Sequence, residues 1–115
     1  MLRRAGVALG WVFVATIVWL SLTPSPPSIP IEQGDKLGHF SAYGGTMFWF
    51  ARLYLRTRTR GFYAAGLVAL GIALEFVQRA TGYRDFEVLD MAADAAGVFI
   101  GWGAALLVSI PAFRR

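Results

Sequence analysis

The sequence predicts an all-α membrane protein, a small antiparallel bundle of four transmembrane helices with both termini in the cytoplasm. Its 115 residues are 57% hydrophobic and have a mean hydropathy of +0.54, well above that of an ordinary soluble domain. Four apolar segments, each near the length of about 20 residues that a membrane helix needs, take up almost the whole chain. We therefore expect a single integral membrane domain over residues 1–115.

The first helix is predicted over residues 5–22. It follows Arg3 and Arg4, and its apolar run is longer than that of a usual signal peptide, which favours an uncleaved membrane anchor over a cleaved leader. The Pro-rich stretch 23–30 cannot continue the helix, because proline lacks the backbone N–H and clashes with the preceding turn.

The second helix is predicted over residues 36–55. It is the least certain span, because its first half carries Lys36, His39 and Tyr43. An interfacial helix is the alternative. Its second half is strongly apolar and aromatic, and the arginine-rich stretch 56–60 that follows is typical of a cytoplasmic loop.

The third and fourth helices are predicted over residues 61–79 and 90–110. The third is apolar until Glu75, and a turn signal at Gly82 follows it. The fourth ends at Pro111, which cannot continue a helix.

Charge divides the chain between the two ends of these segments. All seven acidic residues fall at or near one set of ends: Glu32, Asp35, Glu75, Asp85, Glu87, Asp90 and Asp94. Eight of the eleven cationic residues fall at the opposite ends: Arg3, Arg4, Arg52, Arg56, Arg58, Arg60, Arg114 and Arg115. The positive-inside rule then places both termini and the 56–60 loop in the cytoplasm, where the three loop arginines form a redundant set.

Helical spacing predicts that the polar residues of three helices converge at the acidic ends. Residues four apart share a helix face, and ionisable groups in a membrane tend to face protein or water and to have partners. The candidate ligand-binding residues are Asp35, Lys36, His39, Tyr43, Glu75, Gln78, Arg84, Asp90 and Asp94. His39, Glu75 and Asp94 are also the candidates for catalysis, although no catalytic role is assigned.

Several of these residues have simpler interpretations. Asp90 lies where a helix N-cap belongs, and Glu75 could pair with Arg79 one turn later. His39 alone would more often form an interhelical hydrogen bond than act as a catalyst.

Small residues predict close helix contacts. Gly97 and Gly101 form a small-xxx-small strip, which favours packing within the chain over a dimer seam. We expect five glycines to line helix contacts: Gly44, Gly45, Gly71, Gly97 and Gly101.

Composition excludes several classes of function. The chain has no Cys and one His, and no metal-ligand spacing is recognisable, so we expect neither a metal site nor a cofactor. The basic pI of about 10.1 is better explained by topology and anionic lipid contact than by nucleic acid, which we exclude as a partner.

Five sequence features together resemble the VanZ-like family. They are "SLTP" closing the first helix, "DKLGHFSAY" opening the second, "EFVQ" closing the third, Arg84 in the outer loop, and "DMAADAAG" opening the fourth. The resemblance covers Ser21 to about Leu107. The family pattern usually has Asn where this chain has Asp94, which puts in doubt any role that needs a neutral amide there.

The resemblance implies a multi-pass protein of the bacterial cytoplasmic (inner) membrane. The family is associated with low-level teicoplanin resistance, and hence with the cell envelope. The resemblance assigns no catalytic residues to this chain.

Four roles remain open for the polar cluster, one of which is purely structural or a role in assembly. It could bind the head group of a membrane lipid or lipid-linked envelope precursor, with Lys36, Arg79 and Arg84 meeting phosphate oxygens. It could belong to a membrane-embedded enzyme in which Asp35 orients His39 as a general base, with Glu75 or Asp94 as a second acid or base. It could also serve a proton-linked transporter, which would need a homo-oligomer because four helices are few.

Overall fold

The computed structural model describes residues 2–23, 34–81 and 88–108, with the side chains of residues 2, 34 and 35 excepted. These residues form four α-helices and no strand, so the all-helical prediction is confirmed. The helices are α1 (Leu2–Leu22), α2 (Gly34–Leu53), α3 (Thr57–Thr81) and α4 (Val88–Leu107). The largest departure from the predicted bounds is the start of the third helix, predicted at residue 61 and found at Thr57.

Helices that follow each other in the chain run antiparallel, so α2 and α4 run parallel. The indole of Trp49 on α2 donates a hydrogen bond to the carbonyl of Gly6 on α1 (2.8 Å), which sets the end of α2 beside the start of α1. His39 meets Asp94 near the starts of α2 and α4, and Arg52 meets Val108 at their ends. The bundle therefore has an acidic end, where α2 and α4 begin, and an arginine end, where α1 and α3 begin.

Three of the four described helices are long and apolar enough to cross a membrane. They are Arg3–Leu22, Thr57–Thr81 and Val88–Leu107. The remaining helix, α2, does not reach that hydropathy, because its 20 residues include Asp35, Lys36, His39 and Arg52.

The polar helix α2 lies inside the bundle and contacts each of the other three helices. Its side chains Tyr43, Met47 and Phe50 are almost fully buried. Large exposed apolar side chains are numerous on α1, α3 and α4, whereas Leu37 is the only one on the described part of α2. On α2 the face of Leu37, Ser41 and Gly45 is exposed, and the rest is covered by the other helices. A helix covered in this way can carry polar groups that a helix facing lipid all round cannot, which explains its lower hydropathy.

Glycine allows the backbones of α2 and α4 to touch. A Cβ on Gly44 would lie 3.0 Å from the carbonyl oxygen of Gly97. A Cβ on Gly101 would overlap the carbonyl of Gly44, and one on Gly97 would overlap that of Phe40. This strip packs within the chain, as predicted. The same prediction for Gly45 is wrong, because that residue is exposed and a Cβ there would meet nothing within 4 Å.

Arginine side chains close the C-terminal ends of α2 and α4. The Arg60 guanidinium, 7% exposed, donates to the carbonyls of Ala51 (2.9 and 2.6 Å) and Tyr54 (2.7 Å). Arg3 donates to the carbonyl of Leu53 (2.9 Å) and Arg52 to that of Val108 (3.1 Å). These carbonyls lie in the last turn of a helix or just beyond it, where no further turn supplies N–H donors to them. A cationic side chain at a helix C-terminus also interacts favourably with the helix dipole.

The prediction that residues 56–60 form a loop is therefore wrong, whereas the redundancy of their arginines for membrane orientation stays a prediction. Helix α3 already begins at Thr57, and the connection is only residues 54–56. Arg60 lies inside α3 and folds back onto α2, while Arg56 and Arg58 are exposed. The three arginines are not equivalent.

We predict that Arg60→Ala destabilises the bundle by about 2 kcal/mol or more, because hydrogen bonds from a charged donor are worth about 1.5–3 kcal/mol. The matched control Arg58→Ala, at an exposed position of the same helix, should change stability by less than about 0.5 kcal/mol. Unfolding in detergent micelles, followed by circular dichroism, measures both. Equal stability of the two variants would contradict the capping role.

Candidate functional site

The polar residues of the acidic end centre on a contact between α2 and α4. Nδ1 of His39 lies 2.7 Å from Oδ1 of Asp94, within hydrogen-bond distance. The Asp94 side chain is 2% exposed, whereas that of His39 is 17% exposed. The His39–Asp94 contact confirms the interpretation of His39 as an interhelical hydrogen-bonding residue.

The imidazole of His39 lies between two carboxyl groups of α4. Its Nε2 is 3.8 Å from Oδ2 of Asp90, one turn before Asp94. Nζ of Lys36 lies 3.4 Å from Oδ1 of the same Asp90. An imidazolium, with a proton on each nitrogen, would face a carboxyl on both sides.

Asp90 lies in the first turn of α4, since the described helix begins at Val88. The expectation that it precedes the helix as its N-cap is therefore wrong. Its carboxyl group instead lies beside the cationic side chains of α2, Lys36 and His39.

Helix α3 contributes two deeply buried polar side chains, Glu75 (1% exposed) and Gln78 (2% exposed). Nε2 of Gln78 donates to the carbonyl of Ser21 (2.7 Å), near the end of α1. Glu75 follows by one helical turn Gly71, the residue of α3 that packs against the Asp94 carboxyl. Thus α3 extends the cluster and ties it to α1.

Two features of the site were not predicted from the sequence. The Asp94 carboxyl packs against Gly71, where a Cβ would come within 2.6 Å of its Oδ2. The Ser21 carbonyl accepts the Gln78 hydrogen bond. Gly71 was expected at a helix contact, and the structure shows that the contact is with the Asp94 side chain. The sequence could not predict this partner, because it does not specify how far α3 is shifted along α4.

Seven of the nine candidate residues lie on the described helices at the acidic end of the bundle: Lys36, His39, Tyr43, Glu75, Gln78, Asp90 and Asp94. We call these seven residues the acidic-end cluster. Tyr43 joins it through a ring parallel to that of His39, with 6.5 Å between centroids. Arg84 and the side chain of Asp35 lie outside the described residues. The expected orientation of His39 by Asp35 therefore stays a prediction, and among the described residues Asp94 contacts the His39 Nδ1.

Metal binding finds no support in the described part of the chain. Within it, no group of three or more His, Cys, Asp or Glu side chains is arranged to hold a metal ion.

Comparison with protein-family models, with curated proteins and with solved structures found no match for this chain. The arrangement of its own residues therefore has to support any functional proposal.

We predict that His39 and Asp94 are energetically coupled. In a double-mutant cycle of His39→Gln and Asp94→Asn, the coupling should be about 1 kcal/mol, within the range measured for interhelical hydrogen bonds in membranes. Unfolding in detergent micelles gives the four free energies.

The control cycle combines Asp94→Asn with Ser41→Ala, because Ser41 is exposed on α2. That pair should be additive within about 0.5 kcal/mol. Additivity in the His39 cycle as well would show that the 2.7 Å contact contributes nothing to stability.

Proposed function

We propose that this chain is a VanZ-like, multi-pass protein of the bacterial cytoplasmic membrane. Its acidic-end cluster would bind the head group of a membrane lipid or lipid-linked envelope precursor and thereby alter glycopeptide susceptibility. The observation that supports binding is the partly exposed His39 ring, held by the buried Asp94 and flanked by Asp90 and Lys36. The sequence resemblance to the VanZ-like family suggests the envelope context.

Exposure within the cluster is graded in the way a binding site requires. The side chains of Lys36 and His39 are 19% and 17% exposed, and that of Asp90 is 9% exposed. Asp94 and Glu75 lie beneath them, almost fully buried. A head group approaching this end would first meet ammonium and imidazole donors and a carboxyl acceptor, which suits its phosphate, hydroxyl and amine groups. The buried acid beneath holds the histidine ring in place.

The proposal includes four membrane spans with both termini in the cytoplasm. The internal position of α2 supports a fourth span, because the other helices shield its polar residues from lipid. The arginine end would face the cytoplasm by the positive-inside rule, and the acidic end would lie at the outer face.

Single cysteines test this topology, since the chain has none of its own. We expect a membrane-impermeant thiol reagent on intact cells to label Ser28→Cys and to leave Thr57→Cys unlabelled until the cells are permeabilised. Labelling of Thr57→Cys alone on intact cells would reverse the proposed orientation.

A membrane-embedded enzyme is the second candidate, and the His39–Asp94 geometry favours it. A carboxyl on Nδ1 fixes the ring orientation and leaves Nε2 as the nitrogen available for proton transfer. In that case His39 would act as the general base on a bound lipid, with Glu75 as a second acid or base.

We predict that the protein purified in mild detergent retains one lipid class at a higher fraction than the surrounding membrane, as measured by mass spectrometry. His39→Ala and Asp90→Ala should lose that enrichment, because they remove a donor and an acceptor of the cluster. Ser41→Ala, exposed on the same helix as His39, should keep it.

A wild-type lipid profile identical to that of the bulk membrane would contradict head-group binding. Incubation of the purified protein with the retained lipid then separates the two candidates. Product formation that Asp94→Asn slows indicates the enzyme, and unchanged lipid indicates a binding protein.

A further inference from the structure

The described arginines at the arginine end fall into two groups. Arg3, Arg52 and Arg60 point inward and donate to backbone carbonyls. Arg4, Arg56 and Arg58 are exposed, and their side chains make no hydrogen bond or ion pair within the described part of the chain. Capping of helix ends therefore accounts for Arg3, Arg52 and Arg60, but not for the three exposed arginines.

The three exposed arginines lie at the same end of the bundle. Arg3 binds the Leu53 carbonyl, which brings the start of α1, and with it Arg4, to the end of α2. The connection of residues 54–56 leads directly into α3, whose first turn contains Arg58. The described acids Glu75, Asp90 and Asp94 all belong to the opposite end. The exposed charge at this end is therefore cationic among the described residues.

Exposed apolar side chains lie directly beside these charges. Leu55, 52% exposed, precedes Arg56 in the chain. Phe62, 77% exposed, follows Arg58 by four residues and so shares its face of α3. Guanidinium groups next to exposed apolar side chains match the boundary between phosphates and acyl chains in a bilayer.

We propose that Arg4, Arg56 and Arg58 form a docking surface for the head groups of anionic phospholipids. A guanidinium can hold a phosphate by two parallel hydrogen bonds, and a lipid with net negative charge is attracted by all three arginines. The neighbouring Leu55 and Phe62 would contact the acyl chains. This surface lies at the end opposite the acidic-end cluster and is independent of the function proposed there.

The test is a lipid titration of the full chain in detergent micelles, followed by native mass spectrometry. Phosphatidylglycerol and phosphatidylcholine with the same acyl chains are the two probes. We expect tighter binding of phosphatidylglycerol, weakened by added NaCl because surface electrostatics are screened. Equal binding of the two lipids to the wild type would overturn the proposal.

Substitutions then locate the binding surface. Each of Arg4→Gln, Arg56→Gln and Arg58→Gln should weaken phosphatidylglycerol binding about fivefold, the equivalent of about 1 kcal/mol for each cation. The triple Gln variant should lose the preference, while the matched triple Lys variant retains the charge and most of the binding. A triple Gln variant that is folded by circular dichroism and keeps the full preference would overturn the proposal.

If the triple Gln variant does not fold, the three single variants test the proposal. Unchanged phosphatidylglycerol binding in all three would equally overturn the proposal.

Competition with inorganic phosphate tests whether the surface binds a lipid or free phosphate. Inorganic phosphate should not displace phosphatidylglycerol at equal concentration, because it lacks the acyl chains that Leu55 and Phe62 would contact. Displacement would show that the surface binds free phosphate rather than a lipid.

Discussion

The parallel contact between α2 and α4 is the constraint on which the rest of the structure depends. Gly44, Gly97 and Gly101 allow the two backbones to touch, and any side chain there would have to overlap a carbonyl or force the helices apart. In the proposed membrane setting, lipid would provide no hydrophobic drive between helices, so close van der Waals packing of this kind would have to supply it. The same contact aligns the starts of both helices, which places His39 of α2 between Asp90 and Asp94 of α4.

Helical periodicity and small-residue spacing predicted much of this arrangement. They placed four helices close to their observed bounds, and the convergence of His39 with Asp94 follows from helical phase and depth alone. They did not predict that Asp94 would contact the Nδ1 of His39, because periodicity assigns a face and not a partner. Gly45 shows the same limit, since it lies one residue past Gly44 and faces away from every neighbour.

The arginines illustrate why charge alone is an incomplete guide to a membrane protein. The positive-inside rule counts Arg58 and Arg60 alike. Arg58 is exposed, whereas Arg60, two residues later on α3, is 7% exposed and binds the end of α2. The difference depends on where α3 begins. A start at Thr57 rather than at residue 61 moves both arginines from a loop into the helix.

The acidic-end cluster is difficult to explain as a purely structural element. A charged side chain costs about 2.5–3.5 kcal/mol at the centre of a membrane helix, and less near its ends. An interhelical hydrogen bond returns about 0.6 kcal/mol on average. Glu75, Asp90 and Asp94 are all at most 6% exposed, so the hydrogen bonds and ion pairs of the cluster offset only part of that cost if the acids are charged. Apolar side chains of similar size often give a buried site greater stability than paired charges do. The cost of burying these acids therefore supports the proposed binding role, in addition to the hydrogen bond by which His39 and Asp94 join α2 and α4.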